Sequence, residues 1–161
     1  MRHIYSKTIT VFNYYESPMT GEGIWYPHVL IGVDLNTDRG AIIKKYGHDT
    51  ADNAQLHVTY YMHATDPEDD RKLVNTADGM LPWIPPKQWK KQINDNLSKT
   101  VTFSPEADFF IEGIWDGGMV SDNDYRGGFY QYMNHNKDNA FKITSVGGPY
   151  SLIPHFEILA K

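Results

Sequence analysis

Residues Gln55 to Met62 read QLHVTYYM, and this alternation constrains the fold more than any other feature of the chain. Side chains on a strand point to opposite faces with period two. Leu56, Val58, Tyr60 and Met62 therefore share one face, and His57, Thr59 and Tyr61 share the other. Similar short runs recur along the chain. Ile4 to Tyr14 contains the β-branched stretch TITVF, and Ile24 to Val33 reads IWYPHVLIGV, with Pro27 marking an edge or a bulge. The polar segment Glu16–Gly23 between them predicts a hairpin. Ala41 to Tyr46 is short and ambiguous. Thr100 to Phe103 and Asp108 to Ile114 predict two further strands. Phe141 to Val146 and Ser151 to Leu159 predict the last two, around a turn at Gly147-Gly148-Pro149.

Helical signals are sparse. Pro85 and Pro86 open PPKQWKKQ, and proline suits the first turn of a helix. Ser121 to Asp124 reads as a helix N-cap region, followed by an aromatic face of Phe129, Tyr130, Tyr132 and Met133. Residues 63–80 form a polar, acidic stretch with Pro67 and Gly79, predicting a long loop. The sum is a mainly β chain: a small antiparallel β-barrel or sandwich with one or two short helices and long loops. With 161 residues it fits a single domain, 1–161, able to bury a core without covalent staples.

Composition excludes several function classes. There are 20 acidic and 15 basic residues, a net charge of −5, and no basic run longer than two. That balance argues against wrapping a nucleic-acid backbone. Cysteine is absent, which removes disulfides, thiolate metal sites and cysteine nucleophiles. No apolar stretch approaches the roughly 20 residues of a membrane span. Met1 to Thr8 shows no apolar core of a signal peptide. The expected location is the cytoplasm.

Candidate chemistry is thin. His57-Val58-Thr59 places an imidazole and a hydroxyl on one strand face, the unit used in pairs by two-histidine phosphoesterases. His48-Asp49-Thr50 and His63-Ala64-Thr65 match the pattern but lie too close in sequence to supply the partner strand. His155-Phe156-Glu157 is better placed, yet its Glu157 would repel a phosphate. The seven histidines show no metal-ligand spacing, so no metal and no cofactor are expected. Two facing histidines plus an acid remain a spatial arrangement that spacing does not encode. Asp116, Asp122, Asn123 and Asp124 lack the alternation of a calcium loop and read as a helix entrance. Trp25, Trp83 and Trp115 offer a platform for a sugar or peptide if exposed.

Taken in order, longer segments carry a resemblance. These are Lys7–Tyr14 (KTITVFNY), Trp25-Tyr26-Pro27, Gly32–Leu35, Lys45-Tyr46-Gly47, Asp52–Val58, Pro85–Trp89, Asp108–Phe110, Ile143–Tyr150 and Ile153–Glu157. The chain resembles the head-tail connector proteins of tailed bacteriophages of Gram-positive hosts, small neck or minor capsid proteins. The front two-thirds looks like the head-closure type, a β-barrel that forms a ring below the portal. The resemblance implies a virion structural protein of the neck, made in the host cytoplasm and without catalysis. Its implied partners are its own copies in a ring, the portal or adaptor side, the tail-completion side and, transiently, genomic DNA, with no membrane. Residues about 115–161 would then be a helix-plus-strands elaboration on a minimal barrel. The expected contact or channel residues are Asp66, Glu68, Asp69 and Asp70 in the acidic loop, together with Trp25 and Trp115. The alternative is a phosphoesterase acting on a nucleotide signal through His57, Thr59 and His155.

Overall fold

The computed structural model describes residues 6–37 and 54–161, so the ambiguous stretch at 41–46 and the pair His48/Thr50 lie outside the described residues. Among the described residues there are nine strands: β1 (Lys7–Glu16), β2 (Gly23–Thr37), β3 (Ala54–Tyr61), β4 (Lys72–Thr76), β5 (Gly79–Trp83), β6 (Phe109–Glu112), β7 (Val120–Ser121), β8 (Ala140–Tyr150) and β9 (His155–Ala160). Two short helices accompany them, α1 (Pro86–Trp89) and α2 (Phe129–Asn136).

The strands close a seven-stranded antiparallel barrel in the order β1-β2-β4-β3-β9-β8-β6, with β6 returning to β1. β5 and β7 are additions on the edges of β4 and β2. β2 is the long stave. Its C-terminal end pairs directly with β3, from Asp34–His57 to Thr37–Ala54, and the two then part to admit β4, which meets β2 at Leu30–Thr76. Closure leaves no open edge along the main staves.

Alternation decides what fills the barrel. Ile9 and Val11 of β1, Leu56, Val58 and Tyr60 of β3, and Phe156, Ile158 and Ala160 of β9 all point inward. They meet Leu30, Val74, Phe103, Phe110, Phe141 and Ile143. Phe103, Trp83 and Tyr60 crowd Phe156, with ring centroids 5.0–5.5 Å away. The interior is thus packed with side chains, as expected for a barrel of this strand number.

β1 is buried on its outer face as well. Phe12 stacks on Phe109 at 4.7 Å, and Phe129 of α2 lies edge-on to Phe12 at 5.2 Å. Phe129 and Met133, four apart, turn the same helix face onto Phe12, Trp25, Phe109 and Ile111. A third cluster forms where α1 buries Trp89 against Tyr26 and Leu97.

Several local expectations are corrected. The stretch 63–80 is not one long loop: Lys72–Thr76 is β4, and a tight turn at Ala77-Asp78 starts the β4–β5 hairpin. Leu73 and Val74 pair with Tyr61 and Tyr60, a non-local gain that the surrounding acids conceal. The C-terminal strands are not an elaboration, because β8 and β9 are staves that close the barrel. The turn between them is Ser151–Pro154, not Gly147-Gly148-Pro149. The latter lies within β8, where the register with β9 shifts between Gly147 and Tyr150. Of Thr100–Phe103, the last three residues are buried, and the segment makes only one bridge, Val101 to Trp83.

Candidate functional site

On the outer face of the barrel, cross-strand register builds a row of ionisable side chains. Asp34 of β2 stands opposite His57 of β3, and His57 stands opposite Glu157 of β9. His155, two residues before Glu157, stands opposite Thr59. The two imidazoles that are far apart in sequence therefore meet, with ring centroids 5.9 Å apart.

The contacts are ordered. His57 Nδ1 lies 3.3 Å from Asp34 Oδ2, and His57 Nε2 lies 3.6 Å from Glu157 Oε1. His155 Nε2 lies 3.4 Å from that same Oε1, while its Nδ1 faces the Ile153 carbonyl at 2.5 Å. The Tyr150 ring packs on His155 at 5.1 Å. The His57, Asp34 and His155 side chains are about one-fifth exposed, and Glu157 is 44% exposed. Spacing gave no sign of Asp34, whose place in the row comes only from the β2–β3 register.

The expected contact residues fare differently. Asp66, Glu68 and Asp70 are exposed. Asp66 accepts from the Glu68 backbone N–H at 3.0 Å, which folds the loop on itself. Asp69 is gripped by Arg71, whose Nε and Nη2 donate at 2.9 and 2.7 Å, and those bonds pull its carboxyl down to about 2. Trp25 is not a contact residue. It is 5% exposed, lies edge-on to Phe109 at 5.0 Å and donates its indole N–H to Asp122 Oδ1 at 2.9 Å. Its position on β2 under α2 turns it into core. Trp115 is half-buried, edge-on to Phe12 and Phe129, with its indole N–H given to the Gly118 carbonyl at 3.0 Å. Trp83 packs against the barrel core. Burial removes Trp25 from the tryptophan-platform reading, while Trp83 and Trp115 remain half-buried.

Two buried ionisable groups were not anticipated. Asp108 is fully enclosed, and its carboxylate accepts from Asn13 Nδ2 and from the Tyr14 and Ser104 backbone N–H groups, each at 2.9 Å. Burial nevertheless pushes its carboxyl up to about 7, against those three donors. His28 is buried with no partner for Nε2, and burial pushes it down to about 4. Asp122, from the acidic cluster, serves the helix entrance. Its Oδ1 accepts the Phe129 backbone N–H at 2.7 Å. A cleft beside it opens over Tyr14, Lys90, Tyr130 and Lys142, and Lys142 Nζ sits 4.8 Å from the Tyr130 ring centroid. Among the described residues, no helix is long and apolar enough to cross a membrane.

Fold and site together define a side-chain-filled β-barrel carrying a histidine–carboxylate row on its outer wall. The chain belongs to a family of unknown function, DUF6751, whose model matches residues 4–161. No curated protein and no solved structure gives a significant match.

Proposed function

We propose that this protein is a structural subunit of the head-tail connector of a tailed bacteriophage, acting as a ring-forming neck protein without catalysis. The observation that carries the reading is the division of apolar surface. The barrel interior is filled, while large apolar side chains stand out at hairpin tips: Met19 between β1 and β2 is 91% exposed, and Leu152 and Ile153 between β8 and β9 are 96% and 70% exposed. A rigid β scaffold presenting apolar loop tips suits joints with neighbouring subunits. Closed rings need such heterologous contacts and no reactive group. The resemblance of the sequence to head-closure proteins supports the same assignment. Electron microscopy of particles lacking the protein tests it: tailless, DNA-leaking heads are expected. Complete virions that retain DNA would reject it.

One observation favours a second reading, the phosphoesterase: His57 and His155 lie 5.9 Å apart beside Thr59. Glu157, lodged against both imidazoles, opposes phosphate binding there. Hydrolysis of linear or cyclic phosphodiesters that is lost in His57→Ala would favour this enzyme. Activity equal to that of His57→Ala background would dismiss it.

A further inference from the structure

We propose that neighbouring copies of this chain join head to tail, the β8–β9 hairpin tip of one copy seating Leu152 and Ile153 in a proline-lined, lysine-rimmed cleft at the start of α1 on the next. The proposal rests on the ring-forming reading of the connector subunit and names the surfaces that such a ring would use.

The first argument is a prearranged apolar knob. Leu152 and Ile153 stand out in solvent, yet the turn that carries them is held on both sides by Tyr60. The Tyr60 backbone N–H donates to the Pro154 carbonyl at 3.3 Å, and its hydroxyl donates to the Tyr150 carbonyl at 2.7 Å. A tip that is already ordered loses little freedom on docking. Tyr61 and Met62, also exposed, follow Tyr60 at the end of β3, the strand paired with β9. Single exposed apolar residues are ordinary, whereas several gathered at one place mark a contact surface.

The second argument is charge. The β3–β4 connection starts directly after Met62, and residues 63–71 hold Asp66, Glu68, Asp69 and Asp70 against a single Arg71. That arginine is taken by Asp69 at 2.7 Å, and the other three acids are exposed. A two-fold contact of the knob with its own copy would bring two acidic loops together, and like charges oppose it. The complement is an apolar recess with a basic rim elsewhere on the chain. A contact between two different surfaces of one chain is heterologous, the kind that closes rings.

The third argument is that such a recess exists. Pro85, Pro86 and Pro105, with Lys87, Gln88 and Lys90, line a cleft of about 640 Å³, within the roughly 300–1,000 Å³ span of pockets that enclose a ligand. Proline rings fix the backbone around it, and lysine stems add apolar wall while their ammonium groups stay in water. Lys87, Lys90 and Lys91 are exposed there, and residues 85–91 hold no acid. Glu106 follows Pro105 but lines the neighbouring cleft beside Tyr130. Apolar knob beside acids and apolar recess beside lysines are therefore matched in both hydrophobicity and sign.

The chain has no cysteine, so introduced thiols report contacts cleanly. Full-length Leu152→Cys and Gln88→Cys chains are mixed, both at their highest soluble concentration and in assembled particles, and oxidised with copper phenanthroline. A disulfide between the two variants is expected, with neither variant cross-linking to itself. Leu152→Asp/Ile153→Asp should weaken self-association about tenfold or more, read by sedimentation velocity. Glu68→Lys/Asp70→Lys should weaken it too, and mixing that variant with Lys87→Glu/Lys91→Glu should restore it. All of these side chains are exposed, and circular dichroism with a melting curve verifies each variant's fold. A Leu152→Cys chain that cross-links to itself, or only to a different virion protein, overturns the proposal. Particles that require the protein yet show no mixed disulfide reject this interface and keep the connector assignment. A mixed disulfide in a chain whose loss leaves complete virions does the reverse.

Discussion

The indole N–H of Trp25 and the backbone N–H of Phe129 converge on a single oxygen, Asp122 Oδ1, at 2.9 and 2.7 Å. One carboxylate thereby ties stave β2 to the first turn of α2, and it does so at the edge of the aromatic cluster that α2 covers. Asp122→Ala leaves a largely buried indole donor and a helix N–H unpaired. A loss of about 1–3 kcal/mol is expected. In a double-mutant cycle with Trp25→Phe, the two losses should fall short of additivity by at least about 0.5 kcal/mol, measured by urea unfolding.

Gly128, at the entrance of α2, has φ +97°, in the left-handed region that side chains rarely adopt, and a Cβ there would sit 3.3 Å from the Asp122 carboxylate. Gly128→Ala should cost about 1–2 kcal/mol through backbone strain alone. A melting curve equal to the parent's would show that the entrance relaxes freely.

Phe129 is fully buried between Phe12 and Phe109, whereas Tyr132, on the same helix, is 46% exposed. Phe129→Ala opens a cavity and should cost about 3–5 kcal/mol, lowering Tm by about 10 °C for a chain of this size. Tyr132→Ala should change Tm by no more than a degree or two. Equal effects would mean that α2 does not pack as described.

Asp108 and His28 set opposing pH dependences. Asp108 titrates at about 7 when folded, far above an exposed carboxyl. Between about pH 4 and 7 the unfolded chain gives up this proton and the folded chain keeps it, so stability falls as pH rises. His28 titrates at about 4 when folded, below an exposed imidazole. Between about pH 6.5 and 4 the unfolded chain gains the proton first, so stability falls as pH drops. Each effect is of order 3–4 kcal/mol, and the two largely offset one another over the pH range they share. Relative to the parent, His28→Gln should gain Tm toward acid, and Asp108→Asn should lose it. Melts from pH 4.5 to 7.5 giving parallel curves for both variants would refute the linkage.

Much of the barrel was legible because one-sided burial writes period-two alternation into Gln55–Tyr61, while β1, buried on both faces, showed itself by its β-branched run. The proline-led helix around Trp89 was legible for a local reason too, since its start needs only a preset φ. What escaped depended on partners distant in sequence. β4 hides in an acidic stretch because only pairing with Tyr60 and Tyr61 makes Leu73 and Val74 a strand. Gly147-Gly148-Pro149 has turn composition but sits where a strand pair changes register. Trp25 looked available because nothing nearby in sequence announces α2 above it. The histidine–carboxylate row was half legible. His57 and Glu157 stood out singly, while their meeting is a property of the β3–β9 register, and Asp34 enters only through β2.

β9 lies between β3 and β8, so the last stave inserted is also a central one. During synthesis the barrel has to wait for this segment with two apolar edges open, and polypeptides interrupted before His155 should be recruits for aggregation and proteolysis rather than smaller folded domains.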